Sequence, residues 1–383
     1  MKRLFLFLVW IWIAFSCEAQ SNKLMTGADQ LETFLPSLSG KRVALIVNQT
    51  SLVNKTHLAD TLKSRGVNII KVFAPEHGFR GNAADGEKVN DSVDVKSGIP
   101  LVSLYGKNYK PTAKQLEDVD IVIFDVQDVG ARFYTYVSTM TWAMEACAEN
   151  GKSVIVLDRP NPNGNYVDGP ILKPAFKSIV GLHPIPIVHG LTIGEIAKMI
   201  NEEGWLEKKM KCKLEIVKLK NWKHSDEYPL PVRPSPNLPN DQAIRLYPSI
   251  CLFEGTVISL GRGTPMPFQV LGNPLLKDMP FQFIPISIKG FSTEPPLKNQ
   301  LCYGIDLRNL KAERKLDLSY LLKFYAAYPD KDKFFLPYFE KLAGTEVLRQ
   351  QIKDGLTEGQ IRASWKAGLE EFKALRKKYL LYQ

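Results

Sequence analysis

Between residues 41 and about 220 the chain alternates short β-rich runs with helical patterns, and that alternation narrows its fold more than any other feature. The runs are RVALIVN (42–48), NIIKVF (68–73), PLVSLYG (100–106), DIVIFDV (120–126), SVIVLD (153–158), IPIVHG (185–190) and LEIVKL (214–219). Several are continuously apolar, as strands covered on both faces are. One helical segment spans roughly 136–150 and is ended by Gly151. Another opens on Thr192-Ile193-Gly194-Glu195, a capping-box spacing, and stops at Gly204. Strand–helix alternation of this kind predicts an α/β fold, Rossmann-like, with a mainly parallel sheet.

The usual ligand of such a sheet is not written here. After the first run comes Gln49-Thr50-Ser51-Leu52 rather than a GxGxxG cradle, and no GxxxxGK[ST] occurs anywhere. No nucleotide cofactor is expected, and none of another kind. Near residue 229 the text changes: YPLPVRPSPNLPND holds five prolines, too many for a regular element. It is expected to cross between lobes, giving domains over 24–230 and 231–383. Beyond it come short strand-like pieces, the loop LGRGTPMPF and two helical stretches. The last helix opens on the box Thr357-Glu358-Gly359-Gln360, and its stripe of Ile361, Trp365, Leu369, Phe372 and Tyr379 reads as core.

Residues 1–19 stand apart. Lys2 and Arg3 precede LFLFLVWIWIAF, and Cys17-Glu18-Ala19 offers small-residue cleavage before Gln20. This is the pattern of a secretory signal peptide, with an apolar stretch short for a membrane span. An exported, periplasmic protein is expected; a lipid-anchored form through Cys17, and with it a membrane contact, is the lesser alternative. Removing residues 1–19 takes away two cations and one anion and leaves +9 of the formal +10. A basic exported chain suits anionic cell-surface polymers, not nucleic acid. Cys147, Cys212, Cys251 and Cys302 show neither CxxC nor zinc spacing and are expected to be buried free thiols.

Polar residues collect just after the strands, where open α/β folds place their sites. The stretch FAPEHGFRG (73–81) sets Glu76, His77 and Arg80 within five residues. The fourth run leads into Asp125, Gln127, Asp128, Arg132 and Tyr134. The fifth leads into Asp158, Arg159, Asn161 and Asn163, and the sixth into His189. The second lobe adds Ser235, Asn237, Glu254 and Arg262. Plainer roles stand beside these: a local Asp158–Arg159 ion pair holding a turn, Asp125 capping backbone amides, Glu254 as a hydrogen-bonded structural carboxylate.

Taken in order, FAPEHGFRG, SLYG (103–106), FDVQDVGARFYTY (124–136), VLDRPNPNG (156–164), VHGLTIGE (188–195), PSPNLP (234–239), CLFEGT (251–256), GRGTPMPF (261–268) and the closing KYLLY resemble the NamZ-like exo-β-N-acetylmuramidase family along the whole chain after residue 19. The resemblance implies a peptidoglycan hydrolase that releases N-acetylmuramic acid from non-reducing ends of cell-wall glycan fragments, in turnover or recycling. It also implies a Rossmann-like domain, a smaller α+β C-terminal domain and an active-site cleft between them. One departure is Thr264-Pro265-Met266 after GRG, where the family carries two threonines.

Glycoside hydrolysis needs an acid for the leaving oxygen and a partner for the oxocarbenium-like transition state. On this reading Glu76 is the general acid, with His77 holding it or taking its role. Glu254 is nucleophile or base; alternatively the substrate's own acetamido oxygen attacks, oriented by Asp125 or Asp128. Arg80, Arg132 and Arg262 are the candidates to read the lactyl carboxylate, and Gln127, Tyr134, Asn161, His189 and Asn237 the remaining substrate contacts. Two rival readings are a metal-dependent hydrolase built on His77, His189 and nearby aspartates, and a non-catalytic periplasmic muropeptide-binding protein.

Overall fold

The computed structural model describes residues 23–80, 91–106 and 108–382. The expected signal peptide and Cys17 therefore lie outside the described residues, as does Gly81. Seven strands form the main sheet: β1 (Arg42–Val47), β2 (Asn68–Ala74), β3 (Ser92–Val93), β4 (Pro100–Ser103), β5 (Ile121–Asp125), β6 (Ser153–Leu157) and β7 (Lys213–Val217). Their order is β7-β6-β5-β1-β2-β4-β3, parallel throughout except for the edge strand β3.

The continuous apolar runs are explained by what covers each face. Ala44, Ile46, Val122, Phe124, Val154 and Val156 join one core cluster, while the alternating Val43, Leu45, Val47, Ile123, Ile155 and Leu157 join a second. Successive side chains point to opposite faces, so both sets are buried and no position of β5 is exposed, its closing Asp125 included. The first cluster also takes in helix α1 (Tyr136–Glu149) and helix α2 (Ile193–Glu202). The capping box at Thr192 and Glu195 forms as its spacing predicts.

One expected strand is elsewhere. The run at 185–190 gives only Pro186–Val188, which pairs antiparallel with Asp168–Ile171 outside the main sheet. Pro184 and Pro186 have no N–H to give a central ladder, so this segment cannot enter the parallel sheet.

The C-terminal domain holds helix α3 (Asp241–Ile250), a three-stranded antiparallel sheet and helix α4 (Glu358–Arg376). That sheet comprises β8 (Val270–Asn273), β9 (Phe281–Phe283) and β10 (Cys302–Asp306) in the order β8-β10-β9. The predicted stripe of α4 is buried, and Tyr379 just beyond it is buried too. The first core cluster does not stop at the sheet: it continues through Ile244, Tyr247, Phe253, Phe324 and Trp365. Phe133 meets Tyr247 edge-on at 5.3 Å, and Tyr247 meets Phe268 at 5.0 Å. The four cysteines are buried and free.

Candidate active site

Strand β2 ends in the turn Pro75-Glu76-His77-Gly78, closed by Gly78 N–H donating to the Pro75 carbonyl at 2.9 Å. His77 and Gly78 both take positive φ, +68° and +77°. For glycine this is free; for an imidazole-bearing residue it costs about 1–2 kcal/mol. Strain of this kind gathers at functional sites. Glu76 is half-buried, and its Oε2 accepts from Thr135 Oγ1 at 2.8 Å. The His77 ring is 6% exposed, and its Nδ1 finds no hydrogen-bond partner among the described residues.

Both residues line a cavity of about 540 Å³ bounded by the two domains. Phe133, Tyr134, Tyr247, Phe253 and Phe268 are buried in its lining and make an aromatic floor. Tyr134 is fixed by donating its hydroxyl to the Pro234 carbonyl at 2.9 Å. That bond draws the proline-rich stretch inward, so Ser235 and Asn237 reach the cavity, Asn237 donating to the Phe291 carbonyl at 3.3 Å.

Across from Glu76 in sequence, the short turn after α3 brings in Glu254. Arg262 donates to Glu254 Oε1 from Nε at 2.8 Å and from Nη2 at 2.5 Å, and its guanidinium lies 5.0 Å from the Phe268 ring centroid. Gly255 beside Glu254 has no room for a side chain: a Cβ there would sit 2.4 Å from Phe339 Cα. Among the described lining residues Arg262 is the one arginine or lysine, set against the carboxylates of Glu76, Glu254 and Glu294.

Of the residues nominated from sequence, Glu76, His77, Glu254, Tyr134, Asn237 and Arg262 line this cavity. The others converge on the same sheet edge but turn most of their polar atoms to the scaffold, Asp128 Oδ1, Arg132 Nε and His189 Nε2 having no hydrogen-bond partner among the described residues. Arg80 forks onto Asp94 at 2.9 and 2.8 Å and reaches Asp60 at 3.2 Å; its guanidinium holds Asp94 well below the ordinary carboxylate range. Arg132 donates to the carbonyls of Pro170, Ile185 and Leu342, and burial pushes it down to about 9. Among the described residues Asp125 caps no amide. It is fully buried and pairs with Arg159 at 2.5 and 2.8 Å, so the expected local Asp158–Arg159 side-chain pair is replaced by a pair between the end of β5 and the loop after β6. Gln127 donates to the Asp128 and Pro160 carbonyls. Asn161 accepts from Asn163 N–H and donates to the Leu191 carbonyl, both at 2.8 Å. His189 Nε2 lies 3.7 Å from Asp128 Oδ2; burial pushes the imidazole down to about 3 and the carboxyl up to about 7. Among the described residues no three His, Cys, Asp or Glu side chains come together as a metal site.

Several lining residues were not nominated. Thr135 lies inside the quoted FDVQDVGARFYTY and Phe268 inside GRGTPMPF, so attention to charge alone passed over them. Tyr105 stands in SLYG at the end of β4, and the strand-end argument that found Glu76 applies equally to it.

A cavity with carboxylates on its walls, one arginine among them and an aromatic floor, opening at the carboxyl edge of a parallel sheet, defines a hydrolase of saccharide-sized substrates. Comparison with known proteins makes this particular. Residues 43–242 match the profile described as exo-β-N-acetylmuramidase NamZ, N-terminal, and residues 245–382 match its C-terminal counterpart. The chain belongs to that family. It is 41% identical to the peptidoglycan β-N-acetylmuramidase NamZ of Bacillus subtilis (strain 168), over 95% of this chain and 92% of that protein. Two crystal structures of DUF1343 family proteins from Bacteroides fragilis are similar in fold. One is 47% identical with a TM-score of 0.88, the other 30% identical with a TM-score of 0.81; each comparison covers 94% of this chain and 99% of the other.

Proposed function

We propose that this chain is an exo-acting β-N-acetylmuramidase that removes N-acetylmuramic acid from the non-reducing ends of peptidoglycan-derived saccharides. The observation that carries the reading is Glu76: a half-buried carboxyl on a strained turn at the sheet's carboxyl edge, oriented by Thr135 and lining a cavity of about 540 Å³. Glu76 protonates the departing glycosidic oxygen. Glu254 is engaged by Arg262 through one oxygen, and Asp125 and Asp128 lie outside the cavity lining. The attack on the anomeric carbon is therefore assigned to the substrate's own acetamido oxygen. Arg262 meets the lactyl carboxylate, with Glu254 as the residue that holds it. The apolar stretch after Lys2 and Arg3 supports a periplasmic location as part of this proposal, with anchoring through Cys17 the lesser form.

The test is a chromogenic β-N-acetylmuramide. The purified chain releases the chromophore, a strong chelator leaves the rate unchanged, and NMR of the first-formed sugar shows a retained β anomer. On a β-linked N-acetylmuramyl disaccharide, whose sugar alkoxide leaves poorly without a proton, Glu76→Gln lowers kcat by about 10²–10⁴-fold, the span of general acid catalysis. Inversion at the anomeric carbon refutes acetamido attack, and a Glu76→Gln variant fully active on the disaccharide refutes the acid.

A further inference from the structure

The cavity has a buried floor and a half-exposed rim, and part of the rim is aromatic. Tyr105 and Tyr109, from the loop that follows β4, both line the cavity and are both half-buried. Their ring centroids are 5.9 Å apart at 89°, and Tyr109 lies 5.3 Å from Trp142 of α1 at a tilt of 36°. Trp142 is itself half-buried and stands behind Tyr109, outside the lining. The loop is pinned from beneath: Lys110 Nζ reaches Glu149 at 2.7 Å and Glu145 at 3.5 Å, both on α1. Three rings held at fixed angles keep an aromatic surface in place at the entrance.

From this juxtaposition we infer that Tyr109, supported by Trp142 and flanked by Tyr105, is the platform for the sugar on the leaving side of the scissile bond. The inference rests on the function proposed above and names what that reading leaves open, the other half of the substrate. Glu76 must face the glycosidic oxygen, so a ring seated on the floor delivers its leaving partner toward the rim. A β-linked pyranose whose substituents are all equatorial, as in N-acetylglucosamine, presents axial C–H groups on both faces. Such a face is apolar and flat, and it matches an aromatic ring whose own face carries partial negative charge. The tyrosine hydroxyls suit an edge that stays wet. Because the rings are already ordered, little side-chain entropy is lost when the sugar lands. Stacking raises affinity for a saccharide leaving group and gives none to a leaving group without a ring.

The experiment compares two substrates, a β-linked N-acetylmuramyl-N-acetylglucosamine disaccharide and methyl β-N-acetylmuramide. The reading is the ratio of their kcat/KM values. Tyr109→Ala lowers that ratio about tenfold, Tyr109→Phe restores most of it, and Trp142→Ala, which removes the support without altering the lining, gives an intermediate fall. Inhibition by free N-acetylmuramic acid reports that the floor is intact in each variant. An unchanged ratio in Tyr109→Ala and Trp142→Ala overturns the platform while leaving the muramidase standing. A wild-type chain that hydrolyses neither substrate overturns the function, and the platform with it.

Discussion

At Arg262 two guanidinium N–H groups converge on one oxygen of Glu254 while the planar group lies over Phe268. Arginine suits this place as lysine does not, because the fork and the plane are both used. The other two arginines nominated from sequence are consumed, Arg80 by two aspartates and Arg132 by three carbonyls. A charge-assisted contact to the lactyl carboxylate is worth roughly 1.5–3 kcal/mol. Arg262→Ala therefore lowers the preference for a muramide over the matching glucosaminide, as a ratio of kcat/KM, by about ten- to a hundredfold. Arg262→Lys recovers only part, since an ammonium is a point charge without the fork. Equal losses on both substrates would assign Arg262 to scaffold instead. Glu254→Gln should fall in the same direction as Arg262→Ala, because it loosens the arginine rather than the chemistry.

The loops after β5 and β6 and the segment Pro186–Val188 are braced from within by Asp128, Asn161, Asn163 and His189. Asp128 is the costly member: it is fully buried, accepts from Gly130 N–H at 2.6 Å, and its Oδ1 has no partner among the described residues. Burial raises it to about 7, against roughly 3.9 when unfolded. A carboxyl raised in the folded state contributes stability that is complete below the unfolded value and is lost as pH climbs from about 4 to about 7. His189, lowered to about 3, works the other way, its contribution being lost as pH falls from about 6.5. Asp128→Asn removes only the first dependence. The variant's stability relative to wild type should grow between pH 5 and pH 8, by up to a few kcal/mol, in paired denaturant titrations. A difference that stays flat across that range would contradict the burial argument. These braces also explain what was legible in the text. Six of the seven strand runs form strands of the sheet. Of these, β1, β5 and β6 are buried on both faces and leave a nearly unbroken apolar signature. By contrast β2, β4 and β7 are only partly buried and were legible from their β-rich composition and their place between helical segments. The seventh failed on its prolines. Glu76 and Glu254 could be found from strand-end and motif position. Asp125, Asp128, Asn161 and His189 look identical in sequence to cavity residues, because a loop brace and a ligand contact call for the same polar side chains, and only contacts between loops far apart in the chain separate them.

The two family profiles meet between residues 242 and 245, yet one hydrophobic cluster runs across that point and the chain's end returns to the sheet. Tyr382 donates to Asp158 Oδ2 at 2.5 Å and accepts from Leu219 N–H at 3.0 Å; Leu381 N–H donates to Glu195 Oε1 at 2.8 Å. Asp158 also receives Thr192 Oγ1 and the N–H groups of Arg159 and Gly194, so the closing KYLLY fastens the C-terminal domain to the loop after β6 and the start of α2. Two domains joined this way should unfold in one transition, detected together by near- and far-ultraviolet dichroism. Tyr382→Phe keeps the ring against Trp222, 5.3 Å away, and deletes only the hydroxyl. That strips a donor from a buried carboxylate and an acceptor from Leu219 N–H, at about 1.5–3 kcal/mol. Burial already raises Asp158 to about 6, and losing a donor raises it further. The added penalty belongs to the ionised form, so the variant should lose more stability at pH 8 than at pH 5. A loss independent of pH would mean that Tyr382 acts by packing alone, and two separated transitions in the wild-type chain would mean that the shared core does not couple the domains.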